Sequence, residues 1–283
     1  MAKVHIFTDS ISDIPEEWMV SYHIGVIPLY IVFGNTAYRD RLDMNTQQMY
    51  ERVEEEGHLP KTAAPSPSDF LNYFIPAIAS GEDIIYISMS SKMSSTYQNA
   101  VLAAKEFPSD RVTIIDSLNV SAGLAMHVLM AARMAAKGEN VATIIEELER
   151  VRSQVQLNVL VNNLDYLHKG GRVGNLQHLL GSMLRVRPVL YVTNGMILSG
   201  VKYRGAPRKI IRNLITSIFQ HRERIDLAQF IIAHTMEQKT ANWLRNILME
   251  EAGVREVHII EGGCAICSHS GPRSLAISFV LRK

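Results

Sequence analysis

Cysteine is nearly missing from this chain, with two among 283 residues, and so few thiols build no disulfide framework. Charge of either sign is not in excess. Against 29 Lys and Arg stand 28 Asp and Glu, a net charge of +1, so no global field draws the chain toward nucleic acid or an anionic membrane. No apolar run reaches membrane-spanning length, and the opening segment Met-Ala-Lys-Val-His-Ile-Phe-Thr-Asp lacks a signal-peptide layout. Repeats and low-complexity tracts are missing too. Neither G-x-x-x-x-G-K-[ST] nor G-x-G-x-x-G occurs, nor does H-E-x-x-H, which removes the common nucleotide loops and one metalloprotease signature. Cys264 and Cys267 have C-x-x-C spacing, but no second pair completes a zinc site, and they read as small buried residues near a turn. The expectation is a soluble cytoplasmic chain with no cofactor and no metal.

What is present is 47% hydrophobic residues, enough for two domains, each with its own core. Over residues 1–153, strand-like runs at Lys3 to Phe7, Ile24 to Phe33, Ile84 to Ile87 and Val112 to Ile115 alternate with helical patterns. That alternation predicts a parallel, layered α/β domain. Its strand ends gather Thr8, Asp9, Ser88, Ser94 and Asp116 on one edge. Residues 154–283 predict a second α/β domain with antiparallel pairing, because Asn194-Gly195 between two apolar runs is a hairpin signal. In this half Leu164 to Leu167 reads as continuing a strand from Val159, Leu176 to Leu184 as a helix, and Phe230 to His234 as a strand.

The densest chemistry lies in Ser88 to Ala100, a run of hydroxyl residues after a buried strand. Ser94 to Thr96 can cap the next helix, which collects hydroxyls and backbone N–H groups at the positive end of a dipole and suits a carboxylate or phosphate. Thr62 precedes Pro65 in a segment that prolines hold extended. His269 falls in a turn between Gly263 and Gly271-Pro272. On residues alone three functions stay open. One is an anion-binding carrier, and another an acyl hydrolase using Ser94 and His269, although no G-x-S-x-G elbow and no acid behind His269 can be placed. The third is a nucleic-acid-binding regulator using the basic helix from Arg208, against which the near-zero net charge speaks.

Taken in order, Phe7-Thr8-Asp9-Ser10, Thr62 with Pro65, Ser91 to Gln98, Asp116-Ser117, Leu164 to Arg172 and His269-Ser270-Gly271-Pro272 resemble the DegV family. That family includes the fatty-acid-binding subunits of bacterial fatty acid kinase. The resemblance implies two α/β domains holding a long-chain fatty acid between them, no catalysis by the chain itself, and a fatty acid kinase catalytic subunit as partner. Transient membrane contact is compatible with this reading, and the near-zero net charge speaks against nucleic acid as a partner. The resemblance assigns the carboxylate to Thr62, Ser94 and His269; Asp9, Ser95, Thr96 and Arg273 are candidates for a supporting polar site around them. Arg172, Lys202 and Arg204, with Arg208 and Lys209, are basic residues expected to meet the partner or the added phosphate. Ala63, Ser95 and Arg273 depart from the family pattern. Leu160, Leu164, Leu167, Met183, Leu184, Phe230 and Ile232 are candidates to line the acyl tunnel.

Overall fold

The computed structural model describes residues 3–162, 164–172 and 186–282. The helix expected at 176–184, with Met183 and Leu184, lies outside them.

The chain opens with β1 (Val4–Asp9), α1 (Glu16–Ser21) and β2 (Gly25–Ile27). Pro28 follows, and a residue without an N–H cannot extend a ladder. The strand expected over Ile24 to Phe33 is therefore two strands in different sheets. The second, β3 (Tyr30–Phe33), pairs antiparallel with β4 (Thr36–Arg39) and, after α2 (Thr46–Glu56), with β5 (Lys61–Ala63). A capping box between Ser66 and Asp69 starts α3 (Pro67–Ala79). Then come β6 (Asp83–Ser88), α4 (Thr96–Ala104) and β7 (Val112–Asp116). The order β2-β1-β6-β7 is parallel throughout. Its register sets Thr8 beside Ile87 and Ser88 beside Asp116, so the oxygen-rich strand ends share the edge where open α/β sheets hold ligands.

Two helices, α5 (Ser121–Ala136) and α6 (Val141–Val151), lead to a six-stranded mixed sheet. It contains β8 (Val155–Leu160), then, after α7 (Asp165–Lys169), the hairpin β9 (Val186–Thr193) and β10 (Met196–Arg204). After α8 (Pro207–Ile218) come β11 (Ile225–His234), α9 (Gln238–Asn246), β12 (Glu256–Glu261), α10 (Cys264–Ser270) and β13 (Leu275–Leu281). The order is β10-β9-β8-β13-β11-β12, with β11 and β12 the parallel pair. Asn194 and Gly195 take φ of 49° and 78°, as a primed hairpin turn requires. Leu164 to Leu167 do not continue β8. Pairing on both sides of β8 ends at Leu160, and Asp165 in the first turn of α7 favours the helix through its dipole.

The helix α5 is buried almost all round, which a helix apolar on every face demands. It packs on β1 and β6 from one sheet and on β8, β11 and β13 from the other. One apolar core therefore runs from Ile6 and Ile87 through Leu124 and Leu129 to Leu157, Ile231 and Ala276. A second core fills the far side of the six-stranded sheet, where Leu160, Phe230 and Ile232 meet Leu214 of α8 and Leu244 of α9.

Candidate functional site

Thr62 sits on β5, held by pairing with Ile31 of β3. His269 sits in the last turn of α10, not in a turn as its flanking glycines suggested; Gly263 is the N-cap and Gly271 ends the helix at φ 71°. Buried carboxylates fix the start of that helix. Asp13 accepts from the Gly263 N–H at 2.8 Å and Asp40 from the Cys264 N–H at 2.8 Å, acceptors for N–H groups that the first turn of a helix leaves unpaired. The result brings Thr62 Oγ1 to 3.0 Å from His269 Nε2.

Burial, reinforced by the charge of Arg172, pushes the His269 pKa down to about 4, so the ring is neutral near pH 7. Its Nδ1 is buried without a partner among the described residues, and Gly170 of the α7 turn lies against it: a Cβ there would stand 2.2 Å from Nδ1. A buried unpaired N–H is costlier than a bare lone pair, which assigns the proton to Nε2. His269 then donates to Thr62 Oγ1, and the Thr62 hydroxyl is free to turn its own proton into the cavity.

Opposite stands the loop after β6. Ser94 Oγ lies 2.7 Å from Thr96 Oγ1 and accepts from the Thr96 N–H at 3.2 Å, which fastens it to the N-terminus of α4. Asp9 supports this loop from behind. Its carboxylate accepts from the Tyr86 hydroxyl at 2.9 Å, the Met89 N–H at 2.9 Å and the Ile11 N–H at 3.2 Å, and burial pushes its pKa up to about 7.

These groups surround a cavity of about 360 Å³ lined by Thr62, Ala63, Ser94, Ser95, Arg172 and His269 among others. Behind it lies a pocket of about 90 Å³ with an entirely apolar exposed wall, including Leu157, Val159, Leu190 and Ala233. Val120, Leu167, Ile197, Ile266 and His269 line both. The two spaces are thus neighbours across one layer of side chains.

The expected residues separate accordingly. Thr62, Ser94, Ser95, His269 and Arg172 line the cavity, while Asp9 and Thr96 lie buried behind it. Arg273 does not reach it; at φ 61° its exposed side chain lies 3.9 Å from Glu237. Lys202 and Arg204 are exposed further along β10 than Ile197, Arg208 stacks over Trp243, and Lys209 is exposed. Of the tunnel candidates among the described residues, Leu167 alone lines the space. Phe230 and Ile232 face the outer core, because neighbours on a strand point to opposite faces and Ala233 takes the cavity side. Leu160 is turned outward likewise, leaving Leu157 and Val159 to the pocket. Leu164 packs with Val161 and Leu190.

Ile11, Leu29, Val120, Ile197 and Ile266 line the cavity and were not singled out from the sequence. Ile266 carried a signal, standing inside the C-x-x-C spacing. The cysteines open α10 directly after a strand, not a turn, and burial pushes Cys264 up to about 12 and Cys267 upward as well, so neither offers a thiolate. Among the described residues, Ser94 is bonded to Thr96 rather than His269 and Nδ1 of His269 meets no carboxylate, so they do not set a nucleophile, base and acid in series.

Residues 3–282 match the profile described as an uncharacterised protein of the DegV family. The chain belongs to the DegV family. A DegV domain-containing protein of Caldanaerobacter subterraneus subsp. tengcongensis is 34% identical over 285 residues, covering 99% of each chain. A protein of Thermotoga maritima named fatty acid-binding protein is 31% identical, covering 95% of each. Among solved structures, a DegV family protein from Thermus thermophilus, described for its fatty acid binding, superposes with a TM-score of 0.91 at 29% identity, covering 99% of this chain and 100% of its own. The pairing of a parallel sheet with a largely antiparallel one is therefore the DegV fold.

Proposed function

We propose that this DegV chain is a lipid carrier: it binds a long-chain fatty acid across the two neighbouring cavities, whose shared side chains turn aside for the tail, and presents the carboxylate to a separate ATP-dependent kinase, which converts it to acyl phosphate. Residues 1–153 supply most of the head-group loops; residues 154–283 supply the acyl wall and His269. The observation that carries the reading is the gradient of polarity, from hydroxyls and an imidazole in one space to an apolar wall in the next. The fatty-acid-binding descriptions of the Thermotoga and Thermus relatives support it.

Thr62, Ser94 and His269 are assigned to the carboxylate, the two hydroxyls as its donors and His269 as the group that orients Thr62 through the 3.0 Å bond between them, with the N-terminus of α4 adding a favourable dipole. Charge-assisted hydrogen bonds contribute about 1.5–3 kcal/mol each, which offsets the desolvation of the anion. Each buried methylene contributes about 0.8 kcal/mol, so the tail carries affinity and the head group fixes orientation. Arg172 at the mouth supplies a cation for the phosphoryl group, and Lys202 and Arg204 supply an exposed basic stretch for the kinase. A kinase that consumes ATP places the complex in the cytoplasm.

Native mass spectrometry of the purified chain should find one fatty acid per chain; no lipid, together with no uptake of added fatty acid, overturns the binding reading. With kinase and ATP present, Thr62→Ala, Ser94→Ala and His269→Ala should lower acyl phosphate formation by more than they weaken binding. Equal losses in both would remove the orienting role.

A further inference from the structure

We propose that His5, His23 and Glu82 form a binding site for a divalent transition-metal cation, at the end of the parallel sheet opposite the lipid cavity. His5 stands near the start of β1, Glu82 immediately precedes β6, and His23 follows α1. Their candidate ligand atoms all lie within 4.8 Å of one another. His5 Nδ1 is 2.8 Å from Glu82 Oε2, and His23 Nε2 is 3.9 Å from Glu82 Oε1. Bonds of about 2.0–2.2 Å to a tetrahedral ion separate ligand atoms by roughly 3.3 Å, so small side-chain rotations bring all of them to one ion.

Two features make the cluster a built arrangement. The His5 and Glu82 side chains are only 11% and 14% exposed, whereas His23 at 62% forms an open, solvent-facing side. His23 also adopts φ 52°, a left-handed conformation that a residue with a Cβ takes at some cost, and there its ring stacks on His5 with centroids 4.2 Å apart. The cations nearby are Lys3, whose exposed Nζ is 3.8 Å from Glu82 Oε1 and can swing into water, and Arg111, which is engaged by Asp83 and the Glu82 backbone carbonyl. Imidazole with carboxylate suits zinc, nickel or copper over calcium or magnesium, which prefer all-oxygen shells. Three protein ligands leave the fourth position to water. The ion would fasten β1, α1 and β6 together.

The test is calorimetric titration of the metal-stripped full chain with zinc chloride near neutral pH, beside His23→Gln and Glu82→Gln. One zinc per chain is expected, weakened at least about tenfold in each variant, with fatty-acid binding unchanged in His23→Gln. Zinc at a hundredfold excess over its Kd should raise Tm by about 5 °C in the wild type, and calcium should not. His23 is exposed, so its variant folds even if Glu82→Gln does not. No zinc uptake by the wild type, or undiminished uptake by His23→Gln, overturns the proposal.

Discussion

Gly170→Ala probes the packing that aims His269. Gly170 has φ −73° and ψ −8°, a right-handed conformation that alanine adopts without strain, so backbone geometry predicts neutrality or a gain of up to about 1 kcal/mol. The added methyl, however, would stand 2.2 Å from His269 Nδ1 and 2.9 Å from Cε1. Something must move, and the ring is anchored at its far side by the 3.0 Å bond to Thr62. Overpacking of this kind costs about 1–3 kcal/mol, and the displaced ring loses its hold on Thr62. Urea unfolding of Gly170→Ala, His269→Ala and the double variant closes a cycle. Gly170→Ala should destabilise the wild type by about 1–3 kcal/mol yet be neutral or stabilising when residue 269 is alanine. The same cost in both backgrounds would show that the methyl collides with something else, and the account of how His269 is positioned would fail.

Three further outcomes follow from the same geometry. A fatty-acid methyl ester should bind at least about tenfold more weakly than the free acid, roughly 1.4 kcal/mol, and survive incubation intact; competition binding with product analysis checks both, and release of free acid would favour the hydrolase. Burial raises the Asp13 pKa from 3.8 to about 7, so the folded state holds the proton more tightly and this residue's contribution to stability falls as pH rises from about 4 through 7; unfolding across that range should find Asp13→Asn gaining on the wild type with pH, and a flat difference would contradict the raised value. Cys264 and Cys267, buried with raised pKa values, should resist a thiol reagent in the folded protein and react on unfolding; rapid labelling of the native chain would contradict that burial.

Much of this was legible in the chain because certain residues act locally. Apolar runs ending in Thr8-Asp9, Ser88 and Asp116, with helices between them, imply a parallel sheet and therefore a shared edge. Asn194-Gly195 reports its hairpin through φ alone. Other features depend on tertiary context. The run Phe230 to Ala233 is apolar at every position, so no period tells which residues face the cavity, and Ala233 rather than Ile232 does. His269 looked like part of a turn because its glycines mark both ends of a helix only seven residues long. Asp13 and Asp40 hold that helix from far away in sequence, and His5 and Glu82 meet with no spacing rule to announce them. Pro28 was a visible signal, since it divides an apolar run that otherwise reads as one strand.

The helix shared by both sheets governs how a lipid could come and go. Parting the sheets would strip α5, eleven of whose residues are buried, and at about 1.5–3 kcal/mol for each large apolar side chain that approaches the whole stability of a folded domain. Among the described residues the two sheets are thus tied together through this helix, and a lipid exchanging as proposed would pass an opening at the surface rather than part the sheets. On the function proposed above, a fatty acid passing beside Thr62 and Arg172 would enter tail first and leave its carboxylate nearest the outside. Loading and the proposed phosphorylation would then share one threshold, and a kinase seated there would also bar the lipid's escape.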